Sequence, residues 1–241
     1  MTAPAFTGDK VIAAILFERT MDGQVKGKPV PSFLWQERGV VPFLKVDKGL
    51  ADERDGVQLM KPIDTLDRLL ERANHHRVFG TKMRSVIKDA DKDGVAAIAD
   101  QQVEYGRRIA AAGLVPILEP EVSIDSPHKE EAETLLREAL QSRIAALPDD
   151  TTIMLKLTIP TQPGLYAGLG ADPRVLRVLA LSGGYSREVA CDLLAKDPAM
   201  IASFSRALLE GLTADQTDEQ FTARLDASVA QIFTASVEKT T

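Results

Sequence analysis

Three lysines stand in settings that suit a charged amine poorly. Lys156 lies in Thr152-Ile153-Met154-Leu155-Lys156-Leu157-Thr158-Ile159, Lys45 in Val41-Pro42-Phe43-Leu44-Lys45-Val46-Asp47, and Lys82 in Val78-Phe79-Gly80-Thr81-Lys82-Met83-Arg84. Each run reads as a mostly apolar strand, where an ammonium group is costly to bury. Glu119 closes a fourth such run, Leu114-Val115-Pro116-Ile117-Leu118. For any one of these lysines the plain reading is a long side chain whose head reaches back to water. Three of them on apolar strands, together with a strand carboxylate, are more than packing requires.

The chemistry they predict is amine attack on a carbonyl compound, and a phosphorylated one. A lysine is nucleophilic only as the free amine, and desolvation and neighbouring cations both lower its pKa toward that form. Both are expected at Lys156 if Lys45 and Lys82 lie near it. The amine adds to a ketone, water leaves, and the resulting protonated imine withdraws electrons from the adjacent C–C bond. Glu119, on the strand before that of Lys156, is placed to shuttle the protons. For the phosphate, Ala180-Leu181-Ser182-Gly183-Gly184 ends one strand with glycines that let backbone amides approach an anion. The last strand carries Ser203-Phe204-Ser205-Arg206. A Gly-Gly pair alone marks a turn and a lone arginine is most often a surface charge; their joint placement after the last two strands favours a phosphate site.

These residues need a scaffold, and the chain supplies alternating strand and helix patterns. Seven strand candidates cover residues 11–18, 40–47, 78–85, 114–121, 152–159, 175–182 and 201–206. A helix after Pro62 is expected to be capped by Asp64. Val95, Ile98, Val103 and Ile109 mark a helix over 95–112 that ends before Gly113, and Ala132, Leu136, Leu140 and Ile144 mark another over 128–146. Ser186 opens the helix that holds Cys191, and an amphipathic helix covers 218–238. Residues 123–128 and 160–170 read as loops. This βαβα order implies a parallel sheet flanked by helices. Two features select a TIM-type (β/α)8 barrel over an open doubly wound sheet. The chemical residues are spread over many strands instead of one switch point. The strands also alternate: Lys45 shares a face with Phe43 and Asp47, Lys82 with Gly80 and Arg84, and Lys156 with Met154 and Thr158, while aliphatic neighbours point the other way. One domain spanning residues 1–241 is expected, with no linker.

Composition narrows the partners. A net charge of -6 from 29 basic and 35 acidic residues gives no reason to expect nucleic acid or an anionic membrane as partner. No apolar run approaches the ~20 residues of a membrane helix, and the first ten residues carry no signal-peptide pattern. Cys191 is the only cysteine, so no internal disulfide can form; it is expected to be a small buried residue, and the compartment a reducing cytoplasm. The few histidines, His75 and His76 among them, sit in no nucleophile motif. The sequence leaves a homo-oligomer open.

Taken in order along the chain, the segments Ala14-Ile15-Leu16-Phe17-Glu18, Val40 to Gly49, Gly80-Thr81-Lys82-Met83-Arg84-Ser85, Leu114 to Glu121, Met154-Leu155-Lys156-Leu157-Thr158, Leu181 to Ser186 and Ala202 to Leu208 resemble class I fructose-1,6-bisphosphate aldolases of the bacterial branch. Lys-Val-Asp-Lys-Gly and Leu-Ser-Gly-Gly together are specific. The resemblance implies reversible cleavage of fructose 1,6-bisphosphate through a Schiff base on Lys156, with sugar phosphates as small-molecule partners and with no metal or cofactor needed. It implies Glu119 as general acid/base with Glu121 as its neighbouring carboxylate. Lys82 would orient substrate and assist proton transfer, and Lys45 would lie near the Schiff-base nitrogen. Arg84 would meet one phosphate end, and Ser182, Gly183 and Arg206 would cradle the other. The family pattern begins with a further strand ending in an aspartate. This chain has no counterpart to it, so seven barrel strands, corresponding to the family's second to eighth, and an N-terminally truncated domain are expected. Other readings are a barrel that binds sugar phosphates without turnover and a Schiff-base aldolase for another phosphorylated ketose.

Overall fold

The computed structural model describes residues 1–240. Ten strands alternate with helices: β1 (Ala13–Leu16), β2 (Gln24–Val25), β3 (Lys28–Pro29), β4 (Val41–Lys45), β5 (Val57–Gln58), β6 (Gly80–Ile87), β7 (Val115–Val122), β8 (Ile153–Thr158), β9 (Val175–Leu181) and β10 (Ile201–Ala202). The helices are α1 (Glu18–Met21), α2 (Val30–Arg38), α3 (Leu66–His75), α4 (Lys92–Ala111), α5 (Lys129–Ala145), α6 (Ala167–Gly170), α7 (Arg187–Ala195), α8 (Arg206–Leu209) and α9 (Asp218–Val237).

Seven parallel strands pair in the order β1-β4-β6-β7-β8-β9-β10. The sequence therefore indicates the strands of the curled sheet correctly, in number and order. β5 adds antiparallel to β6, and β2 and β3 form a separate hairpin. The strands read as near-continuous apolar runs because helices cover the outer face. Leu44, Met83, Leu118, Leu155 and Leu157 belong to the main core under those helices. The other face has its own small apolar cluster, in which Phe43, Ile117 and Leu179 are buried and Ile15, Met154 and Ile201 pack against them. These residues alternate with the outward set, so they floor the interior of the curl. The charged residues sit above this floor, toward the C-terminal strand ends.

Local signals set most helix boundaries. Asp91 caps α4 by accepting from the Gly94 amide at 2.7 Å, and Gly113 follows the helix with φ +80°. Ser186 caps α7 by accepting from the Val189 amide. Thr217 and Gln220 form a reciprocal capping box at α9.

Four expectations are corrected. α3 starts at Leu66 after Thr65, with no side-chain cap; Asp64 is passed over because a turn closed by Leu66 N–H to Ile63 C=O already leads into the helix. The first strand stops at Leu16 because Phe17 is already the residue before α1. The last strand stops at Ala202. Ser203 still donates to Ala180 C=O, but Ser205 turns helical and Arg206 opens α8 instead of ending a strand. The segment 160–170 is not all loop, since α6 closes it.

Candidate active site

β4, β6, β7 and β8 bring the predicted charges together. Lys45 and Lys82 are direct partners in the β4–β6 register, and Arg84 and Glu119 are partners in the β6–β7 register. Lys156 is on β8, next to β7. Lys156, Lys82 and Glu119 are only 8 %, 7 % and 3 % exposed, so the reading in which the lysine heads escape to water fails for these two lysines. Lys45 is half-buried.

Glu119 lies between two ammonium groups. Its Oε1 is 2.9 Å from Lys156 Nζ and its Oε2 is 2.7 Å from Lys82 Nζ. The contact to Oε2 is an ion pair without an aligned hydrogen bond. Asp47 continues the chain of alternating charge. Its Oδ2 is 3.6 Å from Lys82 Nζ, and its Oδ1 accepts from Lys45 Nζ at 2.6 Å. It also accepts from the Arg84 amide at 3.3 Å. Lys45 therefore joins the cluster through Asp47, not by meeting Glu119.

A second pair lies one step further along the strands. Arg84 Nη1 donates to Glu121 Oε2 at 3.0 Å. Burial raises the Glu121 carboxyl above its ordinary pKa, opposed by the Arg84 guanidinium and reinforced by the negative charge of Glu119, with Arg206 and Lys156 also lowering it. Arg206 also approaches the glycine turn: its Nη1 is 3.9 Å from where a Cβ on Gly184 would stand. Ser182 is buried, and Gly183 and Gly184 have φ of +63° and +128°, which L side chains rarely adopt. The turn after β9 and the start of α8 thus lie close together.

Two residues of the site escape the sequence reading. Asp47 is the link between Lys45 and Lys82; its place on the same strand face, two residues after Lys45, was the available signal. Gln102 of α4 is fully buried. It accepts from the Glu119 amide at 3.2 Å and donates to Ser85 Oγ at 2.9 Å. The β7–β8 register pairs only Ile117 with Met154 and Leu118 with Leu155, so the next amide, that of Glu119, takes its partner from the helix. No sequence pattern would single out a glutamine on a helix's inner face. A cavity of about 630 Å³ lined by Arg107, Val115, Pro148 and Thr152 lies near the opposite, N-terminal strand ends and contains none of these groups.

The family model for class-I fructose-bisphosphate aldolase matches residues 1–167. The chain belongs to this family. A fructose-bisphosphate aldolase class 1 from Synechocystis sp. is 54% identical over 237 residues, covering 98% of this chain and 79% of the relative. One from Porphyromonas gingivalis is 52% identical over 238 residues, covering 99% of this chain and 80% of the relative. Among solved structures, the fructose-bisphosphate aldolase of Plasmodium falciparum superposes with a TM-score of 0.74 at 23% identity, covering 97% of this chain and 79% of that one. That likeness speaks for the fold: a TIM-type barrel represented here by seven strands. Among the described residues of this aldolase-family chain, no helix is long and apolar enough to cross a membrane.

Proposed function

We propose that this chain catalyses the reversible cleavage of fructose 1,6-bisphosphate to dihydroxyacetone phosphate and glyceraldehyde 3-phosphate, as a class I, metal-independent aldolase of the cytoplasm acting as one barrel-type domain. The observation that carries the reading is the buried contact between Lys156 Nζ and Glu119 Oε1 at 2.9 Å, in a chain that is more than half identical to aldolases of this name.

Lys156 is the nucleophile. Its free amine adds to the ketone carbon, the carbinolamine loses water, and a protonated imine forms. Glu119 supplies the proton that lets water leave. It then takes the proton of the hydroxyl beyond the scissile bond as that bond breaks and its electron pair moves toward the imine. The aldehyde leaves, and the enamine left on Lys156 is protonated and hydrolysed. An acid/base group must reach the atoms that exchange protons, and Glu119 Oε1 lies 2.9 Å from Lys156 Nζ. Lys82, whose Nζ is 2.7 Å from Glu119 Oε2, orients substrate and assists proton transfer. Lys45 joins the cluster through Asp47, which also faces Lys82. Glu121 is the neighbouring carboxylate.

Charge supports an anionic substrate. Lys45, Lys82, Arg84 and Arg206 outnumber Asp47, Glu119 and Glu121 in the site even with Lys156 as the free amine. Ser182, Gly183 and Arg206 cradle the phosphate of the dihydroxyacetone phosphate half, and Arg84 meets the other phosphate.

The test is chemical trapping. Borohydride with fructose 1,6-bisphosphate should leave a reduced adduct on Lys156, seen by peptide mass spectrometry, and Lys156→Met should lose both adduct and turnover. Cleavage that continues in Lys156→Met sinks the assignment.

A further inference from the structure

We propose that Arg187 is a positioning residue that fastens the two halves of the phosphate cradle to each other. The inference rests on the cradle reading above and adds to it how the cradle is held.

The two halves are distant in sequence. One is the turn Ser182-Gly183-Gly184 after β9, which runs through Tyr185 and the cap Ser186 into α7, whose first residue is Arg187. The other is Arg206, the first residue of α8. α8 has only four residues, too few for its own hydrogen bonds to fix its place. Something outside it must decide where Arg206 stands relative to Gly184.

Arg187 spans that gap. Its main chain belongs to the first half, while its side chain is spent on the second. Nη1 donates to Ala207 C=O at 3.3 Å and to Glu210 C=O at 3.0 Å, which flank the remainder of α8. Nη1 also donates to Ser228 Oγ at 2.8 Å, and Nε donates to Gln231 Oε1 at 3.0 Å, so both halves are tied to α9. The tie is reciprocal: Glu210 Oε2 accepts from the Arg187 amide at 2.7 Å. Arg187 is 8 % exposed and Ser228 is fully buried, so water competes little for these bonds. The planar guanidinium suits this task because its donors are fixed in direction; a lysine ammonium on a flexible stem cannot serve the same set of acceptors.

Glu210 supplies the only nearby carboxylate in that set, and its carboxylate is engaged by the backbone. The guanidinium is thus satisfied mainly by neutral carbonyl, hydroxyl and amide oxygens. Its work is geometric, and its removal should be felt where geometry matters, at Arg206.

The experiment is a double-mutant cycle read through substrate binding. Arg187→Met, Arg206→Ala and the double variant are compared for KM and kcat with fructose 1,6-bisphosphate, after circular dichroism confirms folding. Arg187→Met should raise KM by about 10-fold, with a smaller change in kcat, and should add little in the Arg206→Ala background. Arg187→Lys should recover less than half of the loss on a logarithmic scale. A purely structural role would lower the melting temperature without this selective, non-additive rise. If Arg206→Ala raises KM while Arg187→Met does not, or if the two effects multiply, the inference is overturned and the cradle stands. If Arg206→Ala leaves KM unchanged, the cradle reading falls and takes this inference with it. Should Arg187→Met fail to fold, Gln231→Met removes only the acceptor of Nε; a KM rise that disappears in the Arg206→Ala background then supports the tie, and an unchanged KM overturns it.

Discussion

Glu119 holds Lys156 by one carboxylate oxygen, Oε1, at 2.9 Å, while its other oxygen lies 2.7 Å from Lys82. One buried carboxylate therefore pairs with two buried lysines. With Asp47 on the far side of Lys82, charges alternate from Lys45 to Lys156. That order spreads the desolvation cost of the lysines over two carboxylates.

Glu119→Gln keeps the volume and removes the charge. Proton shuttling is lost, so kcat should fall by about 10²- to 10⁴-fold. The nucleophile remains, so borohydride should still trap substrate on Lys156, only more slowly. A coupled assay and peptide mass spectrometry read the two effects separately. Wild-type turnover in this variant would remove Glu119 from the acid/base role.

Asp47→Asn tests the link that carries Lys45 into the site. The amide can still accept from the Arg84 N–H, now 3.3 Å from Asp47 Oδ2, but it no longer balances Lys45 and Lys82. A loss of about 10-fold in kcat/KM is expected from misplaced lysines. Asp47→Ala should lose more than Asp47→Asn, since it removes the acceptor as well. Equal activity of both variants and the wild type would show that Lys45 needs no such support.

The lysines were legible in the sequence because a charge in an apolar strand conflicts with its surroundings, and such conflicts mark functional positions. Glu119 was legible for the same reason, and the glycine turn because paired glycines after a strand let backbone amides approach an anion. The seven-strand sheet was legible because each strand is long or strongly apolar. Arg206 was found but placed on the wrong element: the strand signal of Ile201-Ala202 runs on into Ser203-Phe204, and only the loss of pairing after Ser203 shows where it ends. Asp47 was visible on the face of Lys45, but no role followed, because an aspartate before Lys48-Gly49 also reads as an ordinary strand-end residue. Gln102 and Arg187 were hidden for a deeper reason. Each acts on a segment far along the chain, α4 on β7 and α7 on α8, and no local spacing encodes those contacts.

Glu121 gives a pH signature. Its pKa is raised in the folded state, first by burial, so the folded protein holds this proton to higher pH than the unfolded chain. The stability it contributes is complete below the ordinary carboxylate value and is lost as pH rises through the raised value. Glu121→Gln does not titrate. The unfolding free energy of wild type relative to Glu121→Gln should therefore decline with rising pH across that window and level off above it. Urea unfolding at a series of pH values measures the difference, and a gap that widens in favour of the wild type would contradict the assignment.

Cys191 is buried on α7, and burial pushes its thiol pKa up to about 11. The thiolate is the reactive form, so at pH 8 a disulfide reagent such as DTNB should react with the native protein only on the timescale of unfolding, and at once in denaturant. Fast stoichiometric labelling of the folded protein would mean that the thiol is accessible and would reopen its chemistry.

Gly183 allows the last prediction, because two separate demands meet there. Its φ of +63° lies in the left-handed region, and a Cβ at this position would stand 2.6 Å from Ile124 Cγ2. Gly183→Ala must therefore bear both backbone strain and a clash with the loop after β7. The expected cost is about 1–3 kcal/mol of stability, with a rise in KM as the turn shifts away from Arg206. Ile124→Ala in the same chain removes the clash and leaves the strain, so the double variant should recover part of the stability lost by Gly183→Ala, measured against Ile124→Ala alone. Full recovery would mean that only the packing matters, and no recovery would mean that the backbone conformation alone requires glycine. In either case KM separates folding from function: if the turn serves only to reverse the chain, stability will drop while substrate binding stays unchanged.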